Sequence, residues 1–501
     1  MEVRPFIIHI PDDILDDLRR RLGHTRFPDE IPGSGWDYGS NLEYLKALVH
    51  YWRTDFDWRA QEEKLNRLHH YKTPVHGLNI HFIHERGIGP NPMPLVMTHG
   101  WPSCFFEMTK ILPFLTDPGR HGGDPVDAFD MVVPSLPGFG FSDHATERGM
   151  DVQWVAGLWN TLMTDNLGYP RFAAQGGDIG AGVTAWLGYA HADNLYGIHL
   201  TSITRPTPYL GPDAKPITAA EQALIDQRAR WQQAEGGYAH MQGTKPQTLA
   251  YGLNDSPAGL AAWIVEKYRT WSDCHGDVEA RYTKDELLTI ITIYWVTQTI
   301  SSSTRMYLEN QRKLWVMDKD DKVPAPAGMA RFPQEIARPP REWDERAYNR
   351  RCFRGVGLLC SLGVRESEHP SPQASDVMIM QVLHCPHCQG TDIIRHGTTR
   401  QGKQRYRCQE HACKGRTFLL DYTYAGHAAG VKQQIIDVAM NASGIRDTAR
   451  VLHVRPTTVI KALKKKSRSC SRCIMRCWRS CIPSKSRWKS GAQMSLRRVV
   501  D

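Results

Sequence analysis

Short apolar segments separated by glycine and proline dominate the middle of the chain and predict strands at residues 78–85, 94–100 and 129–138. Residues 152–166 and 180–190 have the apolar spacing of helices. Strands that alternate with helices in this way indicate an α/β fold with a mainly parallel sheet. In such folds the active residues lie on loops at the carboxyl ends of the strands, so we expect the functional groups there.

The segments on either side of this region have a different pattern. Residues 1–85 combine short apolar runs with charged, helix-like stretches, and their aromatic residues are expected to pack as a cap on the next domain. Residues 206–314 are mostly helical in pattern and are expected to cover the strand ends as a lid. Strand character returns at residues 322–329. The 14 residues from 287 to 300 include Thr, Gln and Tyr, so we expect a buried helix there and not a membrane span.

Composition changes sharply near the end of the chain. The formal charge of the 501 residues is +9, but residues 461–501 hold 13 Lys or Arg and one acidic residue, which leaves 49 basic and 52 acidic residues before them. Eight of the 12 cysteines lie at or after Cys385, where close pairs indicate metal binding and not a disulfide framework. Because acidic residues lie close behind the first apolar run, we do not expect residues 1–13 to be a secretory signal, and we predict a soluble, cytoplasmic protein.

The strongest candidate for chemistry is the segment from residue 171 to residue 183, RFAAQGGDIGAGV. An apolar run enters a glycine-rich turn and a helix, which is the pattern of a nucleophile elbow with Asp178 at its tip. A carboxylate there can attack carbon and form an ester with the enzyme, which suits opening of an epoxide or displacement of a halide. The alternative is a glycine-rich turn with no chemistry.

Two further segments fit a covalent mechanism. The HGWP phrase at residues 99–102 follows a predicted strand, and its backbone N–H groups can join that of Ile179 to stabilise an oxyanion. The alternative is a turn restricted by proline. Glu335 follows the late strand at residues 322–329, where the acid that orients a catalytic histidine is expected.

Together these phrases resemble the epoxide hydrolase family of the microsomal type, in which an N-terminal epoxide-hydrolase domain precedes an α/β-hydrolase domain. The resemblance runs from about residue 4 to residue 349. It implies that Asp178 attacks a small hydrophobic epoxide without a cofactor, and that Trp101 and Ile179 supply the oxyanion-hole N–H groups. It also implies that Tyr238 and Tyr307 protonate the epoxide oxygen, although without the resemblance either tyrosine is a core or rim aromatic. Haloalkane dehalogenases share the aspartate, but a pair of phenols favours an alkoxide over a halide.

The resemblance breaks at the histidine that activates water. The family places it near residues 360–365, but no histidine lies between residues 276 and 368. One back-translation of residues 359–366, read one base later, encodes Phe-Ala-Ala-Leu-Glu-Ser-Glu, which is close to the family's FAALE phrase and indicates a shifted reading frame. His369 is an alternative base, although it precedes Pro370 in a Ser/Pro-rich segment. The sequence therefore predicts an impaired hydrolase that lacks the end of its sheet and accumulates the ester.

A second unit follows the break. Cys385, Cys388, Cys408 and Cys413 have the spacing of the two knuckles of a zinc ribbon, with soft thiolate ligands for tetrahedral Zn²⁺. The alternatives are four free thiols, or His411 in place of one cysteine.

Helical patterns then predict a helix-turn-helix for major-groove DNA. Its basic end can contact phosphates through Lys461, Lys464, Lys465 and Lys466. The alternative is an ordinary helical hairpin. Residues 378–466 resemble the short N-terminal protein of insertion-element transposases, which implies binding to the terminal repeats of the element without strand transfer.

The predicted fold is therefore an α/β-hydrolase fold with an N-terminal extension and a helical lid, truncated at its C-terminal end and followed by a small zinc ribbon and a helix-turn-helix. We infer that a mobile element was fused to a hydrolase gene. A cysteine run in the basic tail can also capture metal, but no fold signal supports it. The predicted domains are residues 1–85 (N-terminal), 86–205 and 315–349 (hydrolase core), 206–314 (lid), 350–377 (junction), 378–425 (ribbon), 430–466 (helix-turn-helix) and 467–501 (disordered tail).

Overall fold

The computed structural model describes residues 2–201, 206–332, 335–355, 393–398, 404–408 and 417–419. The chain divides into two compact units, and the second comprises residues 362–470. The described residues up to 355 belong to the first unit, and the three later segments belong to the second.

The first unit begins with strand β1 (Arg4–Pro5) and helices α1 (Asp12–Gly23), α2 (Leu42–Thr54) and α3 (Trp58–Leu65). Side chains cap two of these helices, because Asn41 and Asp57 accept hydrogen bonds from the first-turn N–H groups of α2 and α3. Trp52 of α2 is buried and donates its indole N–H to Thr292 at 3.0 Å. The N-terminal helices therefore pack against the later helical region, as expected for a cap.

A nine-stranded sheet forms the centre of this unit. Its remaining strands are β2 (His70–Val75), β3 (Leu78–Glu85), β4 (Met93–Thr98), β5 (Phe129–Pro134), β6 (Phe172–Gly176), β7 (Leu195–Thr201), β8 (Val323–Arg331) and β9 (Tyr348–Gly355). The order is β1-β2-β3-β5-β4-β6-β7-β8-β9. The pairs from β1 to β5 along this order are antiparallel, and those from β5 to β9 are parallel. The prediction of a mainly parallel sheet with helices between its strands is confirmed.

The predicted domain boundaries at residues 85 and 349 do not coincide with the first and last strands of the sheet. The predicted N-terminal segment, residues 1–85, already contains β2 and β3, and β3 pairs with β5. These strands lie in the sheet because Ile80 to Ile83 of β3 are buried on both faces, and His70, Thr73 and Val75 of β2 are buried as well. The sheet also does not end at residue 349, because β9 extends to Gly355 and pairs with β8. The backbone of β8 offers hydrogen-bonding groups along that edge, which a further strand satisfies.

The helices of the hydrolase part flank the sheet or form the lid. Helices α4 (Leu112–Thr116), α5 (Val152–Thr161) and α6 (Ile179–Ala190) lie between strands of the sheet in the chain order. The segment between β7 and β8 is helical, as predicted, and comprises α7 (Ala219–Glu235), α8 (Gly237–Thr244), α9 (Pro246–Asp255), α10 (Pro257–Trp271), α11 (Lys284–Thr297) and α12 (Ile300–Arg312). Most of α11 is buried, as expected, and no helix in the described ranges has the length and apolar character needed to cross a membrane.

A buried ion pair joins the first lid helix to helix α13 (Arg341–Ala347). Arg346 of α13 contacts both carboxylate oxygens of Glu221 in α7, at 2.5 and 2.8 Å, and the two side chains are 8% and 0% exposed. The same guanidinium donates to the carbonyls of Lys215 and Pro216 at 2.8 Å. Because the pair is buried and hydrogen-bonded on both sides, it holds the start of the lid against the hydrolase core.

We expect Arg346→Met to destabilise the first unit by about 3 kcal/mol, because it leaves the Glu221 carboxylate buried without its cation. Urea unfolding followed by tryptophan fluorescence measures the change. Arg341→Met is the matched control, since Arg341 pairs with Glu345 on the same helix but is exposed, and its loss should cost less than about 1 kcal/mol. Equal losses in the two variants would contradict a role for the buried pair.

The described part of the second unit is a three-stranded antiparallel sheet. Strands β10 (Ile393–Thr398), β11 (Gln404–Cys408) and β12 (Thr417–Leu419) pair in that order. Cys408 is the last residue of β11. The other predicted zinc ligands, Cys385, Cys388 and Cys413, lie outside the described residues, as do His369, the helix-turn-helix and its lysines, Lys461, Lys464, Lys465 and Lys466.

Candidate active site

The turn between β6 and α6 has the backbone of a nucleophile elbow. Asp178 has φ +51° and ψ −122°, a left-handed conformation that costs a non-glycine residue about 1–3 kcal/mol. The flanking residues must be small, because a Cβ on Gly176 would lie 2.1 Å from the carbonyl oxygen of Gly180. A Cβ on Gly180 would in turn lie 2.1 Å from the carbonyl oxygen of Thr98 at the end of β4. The glycines thus allow the helix to begin directly against the sheet with Asp178 at the tip.

The loop after β4 contacts the tip of the elbow. The backbone N–H of Trp101 donates to Oδ1 of Asp178 at 2.9 Å. Gly100 approaches so closely that a Cβ there would lie 2.4 Å from the Cβ of Asp178. Ile179, the second predicted oxyanion donor, is the first residue of α6, where a helical N–H has no acceptor within the helix. The carboxylate therefore lies beside the two backbone positions predicted from the sequence.

The two predicted tyrosines come from different lid helices and meet over this loop. Tyr238 lies on α8 and Tyr307 on α12, and their ring centroids are 5.8 Å apart. The indole of Trp101 stacks on Tyr238 at 5.4 Å with an interplanar angle of 7°, and contacts Tyr307 edge-on at 5.8 Å. Both phenols are partly buried. Both tyrosine rings therefore contact Trp101, the residue whose backbone N–H donates to Asp178.

Both phenols are held in their protonated form. Burial raises the pKa of Tyr238 above its usual value, and the nearby Asp178 carboxylate raises it further. Burial also raises the pKa of Tyr307 well above its usual value, again with a contribution from Asp178. Since a raised phenol pKa favours the neutral O–H, both groups remain proton donors at neutral and mildly alkaline pH.

Glu335 lies in the wall of the same cavity as Asp178. The cavity has a volume of about 430 Å³ and is also lined by Gly100, Trp101 and Trp271. Glu335 reaches it because β4, β6 and β8 run parallel and end at the same edge of the sheet. The carboxylate accepts a hydrogen bond from the N–H of Ile336 at 3.1 Å. This is the placement expected for the acid of a catalytic triad.

Two charged residues of the cavity were not predicted from the sequence. Burial raises the pKa of Glu107 to about 7, with a further increase from Asp178. The ammonium of Lys267 lies over the rings of Tyr238 and Trp271, with its Nζ 5.1 and 5.7 Å from the ring centroids. Glu107 lies in the short helical turn Phe105–Met108 and Lys267 on α10. For Glu107 the available signal was a lone charge among apolar residues, but that signal does not specify which cavity the residue lines.

No histidine lines this cavity in the part of the chain that the structure describes. His99 is near the elbow in sequence, but both ring nitrogens are engaged. Its Nδ1 contacts the carbonyl of Gly100 at 3.1 Å, and its Nε2 accepts from the N–H of Leu136 at 3.2 Å. Since His99 is also fully buried, it is not placed to act on a water in the cavity.

The sheet order, the helical insertion after β7 and the elbow define the α/β-hydrolase fold, and solved structures agree. The crystal structure of juvenile hormone epoxide hydrolase from the silkworm Bombyx mori matches with a TM-score of 0.60 at 29% identity, over 71% of this chain and 87% of that one. The structure of Aspergillus niger epoxide hydrolase matches with a TM-score of 0.61 at 30% identity, over 71% and 90%.

The chain belongs to the epoxide hydrolase family. An epoxide hydrolase homologue from Stigmatella aurantiaca is 43% identical over 351 residues, which are 70% of this chain and 78% of that protein. Epoxide hydrolase 1 of Sus scrofa is 37% identical over 370 residues, with 69% and 81% coverage. Residues 3–108 match the family described as epoxide hydrolase N terminus.

The second unit has a different origin. Residues 378–414 match the InsA N-terminal domain, a zinc-ribbon family, and residues 422–468 match the InsA C-terminal domain, a helix-turn-helix family. The prediction that a hydrolase is fused to an insertion-element protein is therefore confirmed.

Proposed function

We propose that the first unit opens a small hydrophobic epoxide through an ester on Asp178, and that turnover is impaired because the sequence lacks the family's histidine. The observation that carries this proposal is the placement of Asp178 at the elbow. One carboxylate oxygen accepts the Trp101 N–H, and the rings of Tyr238 and Tyr307 both contact Trp101. The family relatives named above are epoxide hydrolases, which supports an epoxide over other electrophiles.

In the first step the second oxygen of Asp178, Oδ2, attacks a ring carbon and the bond between that carbon and the epoxide oxygen breaks. The oxygen takes a proton from Tyr238 or Tyr307, and a hydroxyalkyl ester remains on the enzyme. A phenol suits this donation, because an alkoxide is strongly basic and the donor must still be protonated at neutral pH. The backbone N–H groups of Trp101 and Ile179 later stabilise the oxyanion during ester hydrolysis. Glu335 is the acid that would orient a histidine.

Intact-mass spectrometry of the full chain after incubation with styrene oxide tests the proposal. The expected result is one added mass equal to the epoxide, mapped by peptide analysis to Asp178, with slow formation of diol. A chain that forms neither the adduct nor the diol would contradict the proposed function. Rapid diol formation with no detectable adduct would contradict the impairment.

We expect Tyr238→Phe and Tyr307→Phe each to slow adduct formation by about 10²-fold, because each removes one proton donor for the alkoxide. Stopped samples analysed by mass spectrometry give the rate. Since both phenol pKa values are raised, the wild-type rate should not fall between pH 7 and about 10, where an ordinary tyrosine loses its proton.

Tyr251→Phe is the matched control for these variants. Tyr251 lies on lid helix α9 and is 74% exposed, so its replacement should leave the rate of adduct formation unchanged. A double variant of Tyr238 and Tyr307 that reacts as fast as the wild type would refute the assignment of the donors.

A second function is proposed for the second unit, which is supported by the two InsA domains. Two pairs of thiolates, Cys385 with Cys388 and Cys408 with Cys413, form a donor set suited to tetrahedral Zn²⁺. Strand β11 ends at Cys408, so the second pair begins where a strand of the small sheet ends. Bound zinc would stabilise the ribbon, and the helix-turn-helix with Lys461, Lys464, Lys465 and Lys466 would contact DNA.

We expect the full chain to be retained on immobilised duplex DNA in a manner that depends on zinc and decreases with salt. Cys385→Ser should lower both the zinc content, measured by mass spectrometry of the metal, and the retention. Cys473→Ser, in the cysteine run of the tail, is the control and should change neither. If Cys473→Ser removes the zinc and Cys385→Ser does not, the metal is bound by the tail and the ribbon assignment is incorrect.

A further inference from the structure

Glu107 and Asp178 line one cavity from two different segments, the loop after β4 and the elbow between β6 and α6. The loop leaves β4, places Gly100 and Trp101 against Asp178, and returns through the turn Phe105–Met108. Both acidic residues have solvent-accessible side chains, and both border the cavity. Water that enters the cavity can therefore reach both carboxylates.

Adjacent backbone groups of the loop orient the two carboxylates. The N–H of Trp101 donates to Asp178, and the backbone of Gly100, one residue earlier, interacts with the carboxylate of Glu107. Gly100 leaves no space for a side chain between the loop and Asp178. Because neighbouring peptide groups hold them, the two carboxylates have a fixed relative placement in the first unit.

From this geometry we propose that Glu107 is the general base that hydrolyses the Asp178 ester, since no histidine among the described residues lines the cavity. This inference rests on the proposed function, since it concerns the second step of the same reaction. It identifies a residue of the chain that can complete the turnover.

The protons balance in the proposed step. A water oxygen attacks Cγ of the Asp178 ester and the water proton passes to the carboxylate of Glu107. The tetrahedral oxyanion is held by the N–H of Trp101, and its collapse breaks the bond between Cγ and the ester oxygen. Glu107 returns its proton to the leaving diol. The proton that remains on Asp178 restores the tyrosine that donated in the first step.

The groups around Glu107 favour this role. Desolvation by the surrounding protein raises the pKa of Glu107 to about 7, which matches the pH at which a general base is most effective. The negative charge of Asp178 raises this pKa, and that charge is absent once the ester has formed. The pKa of Glu107 should then fall, so the carboxylate is ionised when water must be activated. The other titratable groups that interact with Glu107 are Cys104, Tyr268 and Tyr294, which are neutral at pH 7 because burial raises the pKa of each.

The test follows the adduct of the full chain with styrene oxide in two stages, formation and decay. We expect Glu107→Gln to form the adduct at the wild-type rate and to lose it about 10²-fold more slowly. In water labelled with ¹⁸O, the label should enter Asp178 in the wild type and not in the variant over the same time. Glu147→Gln, an exposed glutamate outside the cavity, should behave as the wild type in both stages.

Each other outcome would overturn the proposal. Decay of the Glu107→Gln adduct at the wild-type rate removes the base role, and equal slowing of formation and decay assigns Glu107 a positioning role only. If the adduct decays more slowly in Glu335→Gln but not in Glu107→Gln, the general base is Glu335, which follows β8, and not Glu107. A wild-type adduct that never decays contradicts this inference and leaves the ester on Asp178 established, whereas the absence of both adduct and diol contradicts both proposals.

Discussion

Asp178→Ala is expected to abolish the covalent adduct with styrene oxide and to lower diol formation by about 10⁴-fold or more, because it removes the only group proposed to attack the ring. The backbone of the elbow should tolerate the change, since the left-handed conformation is imposed by the packing of Gly176 and Gly180 on either side. Mass spectrometry and diol analysis of the same samples measure both losses.

Asp178→Asn and Asp165→Asn extend this experiment. The asparagine variant keeps the shape of the side chain, so its inactivity would assign the loss to the missing nucleophilic oxygen and not to packing. Asp165 is exposed at the end of the segment that follows α5, and its replacement should leave adduct formation unchanged. An adduct of normal yield in Asp178→Ala, mapped to another carboxylate, would remove Asp178 from the mechanism.

The elbow could be predicted from sequence because its constraints are local. The tight turn from β6 into α6 requires glycine at position 176, and the close contact between α6 and β4 requires glycine at position 180, which leaves a visible pattern around Asp178. The strands and the lid helices could also be predicted from local sequence. The face that an element buries determines the period and the length of its apolar pattern. The position of Trp101 could be predicted as well, because it lies on the loop that directly follows β4.

The rest of the site depends on the tertiary fold. Glu107 lies in an apolar turn and Lys267 in a lid helix, and nothing in their neighbouring residues indicates that both line the cavity of Asp178. Tyr238 and Tyr307 were assigned through the family resemblance, because aromatic residues are common in buried helices. The structure brings them together through Trp101, which contacts both rings.

The end of the hydrolase part at residue 349 was predicted because the family's histidine is missing. In the structure, the hydrolase sheet extends a few residues further. Strand β9 pairs with β8 up to Gly355, so the sheet includes the strand that was expected to be absent. Every residue except proline carries the backbone N–H and C=O groups that pair strands, which explains how a segment can extend the sheet without the family phrase. The imidazole that activates water, in contrast, can be supplied only by a histidine side chain. The sequence has no histidine from residue 276 to residue 368.

Gly180→Ala is expected to destabilise the first unit by about 3 kcal/mol and to prevent adduct formation. Its added Cβ would lie 2.1 Å from the carbonyl oxygen of Thr98 and 2.8 Å from that of His99, so a strand backbone must move and no flexible side chain can relieve the overlap. The displaced backbone leads directly into Trp101, whose N–H holds Asp178. Stability and catalysis should therefore be lost together, as measured by urea unfolding and by the yield of adduct.

Gly157→Ala provides the matched control for this prediction. Gly157 lies inside helix α5, and an added Cβ would meet no atom within 4 Å. Alanine is favoured over glycine in a helix by about 1 kcal/mol, so this variant should be slightly more stable and form the adduct normally. If Gly180→Ala matched Gly157→Ala in both measurements, α6 could move away from β4 at no cost. The close contact would then not be what holds the nucleophile in place.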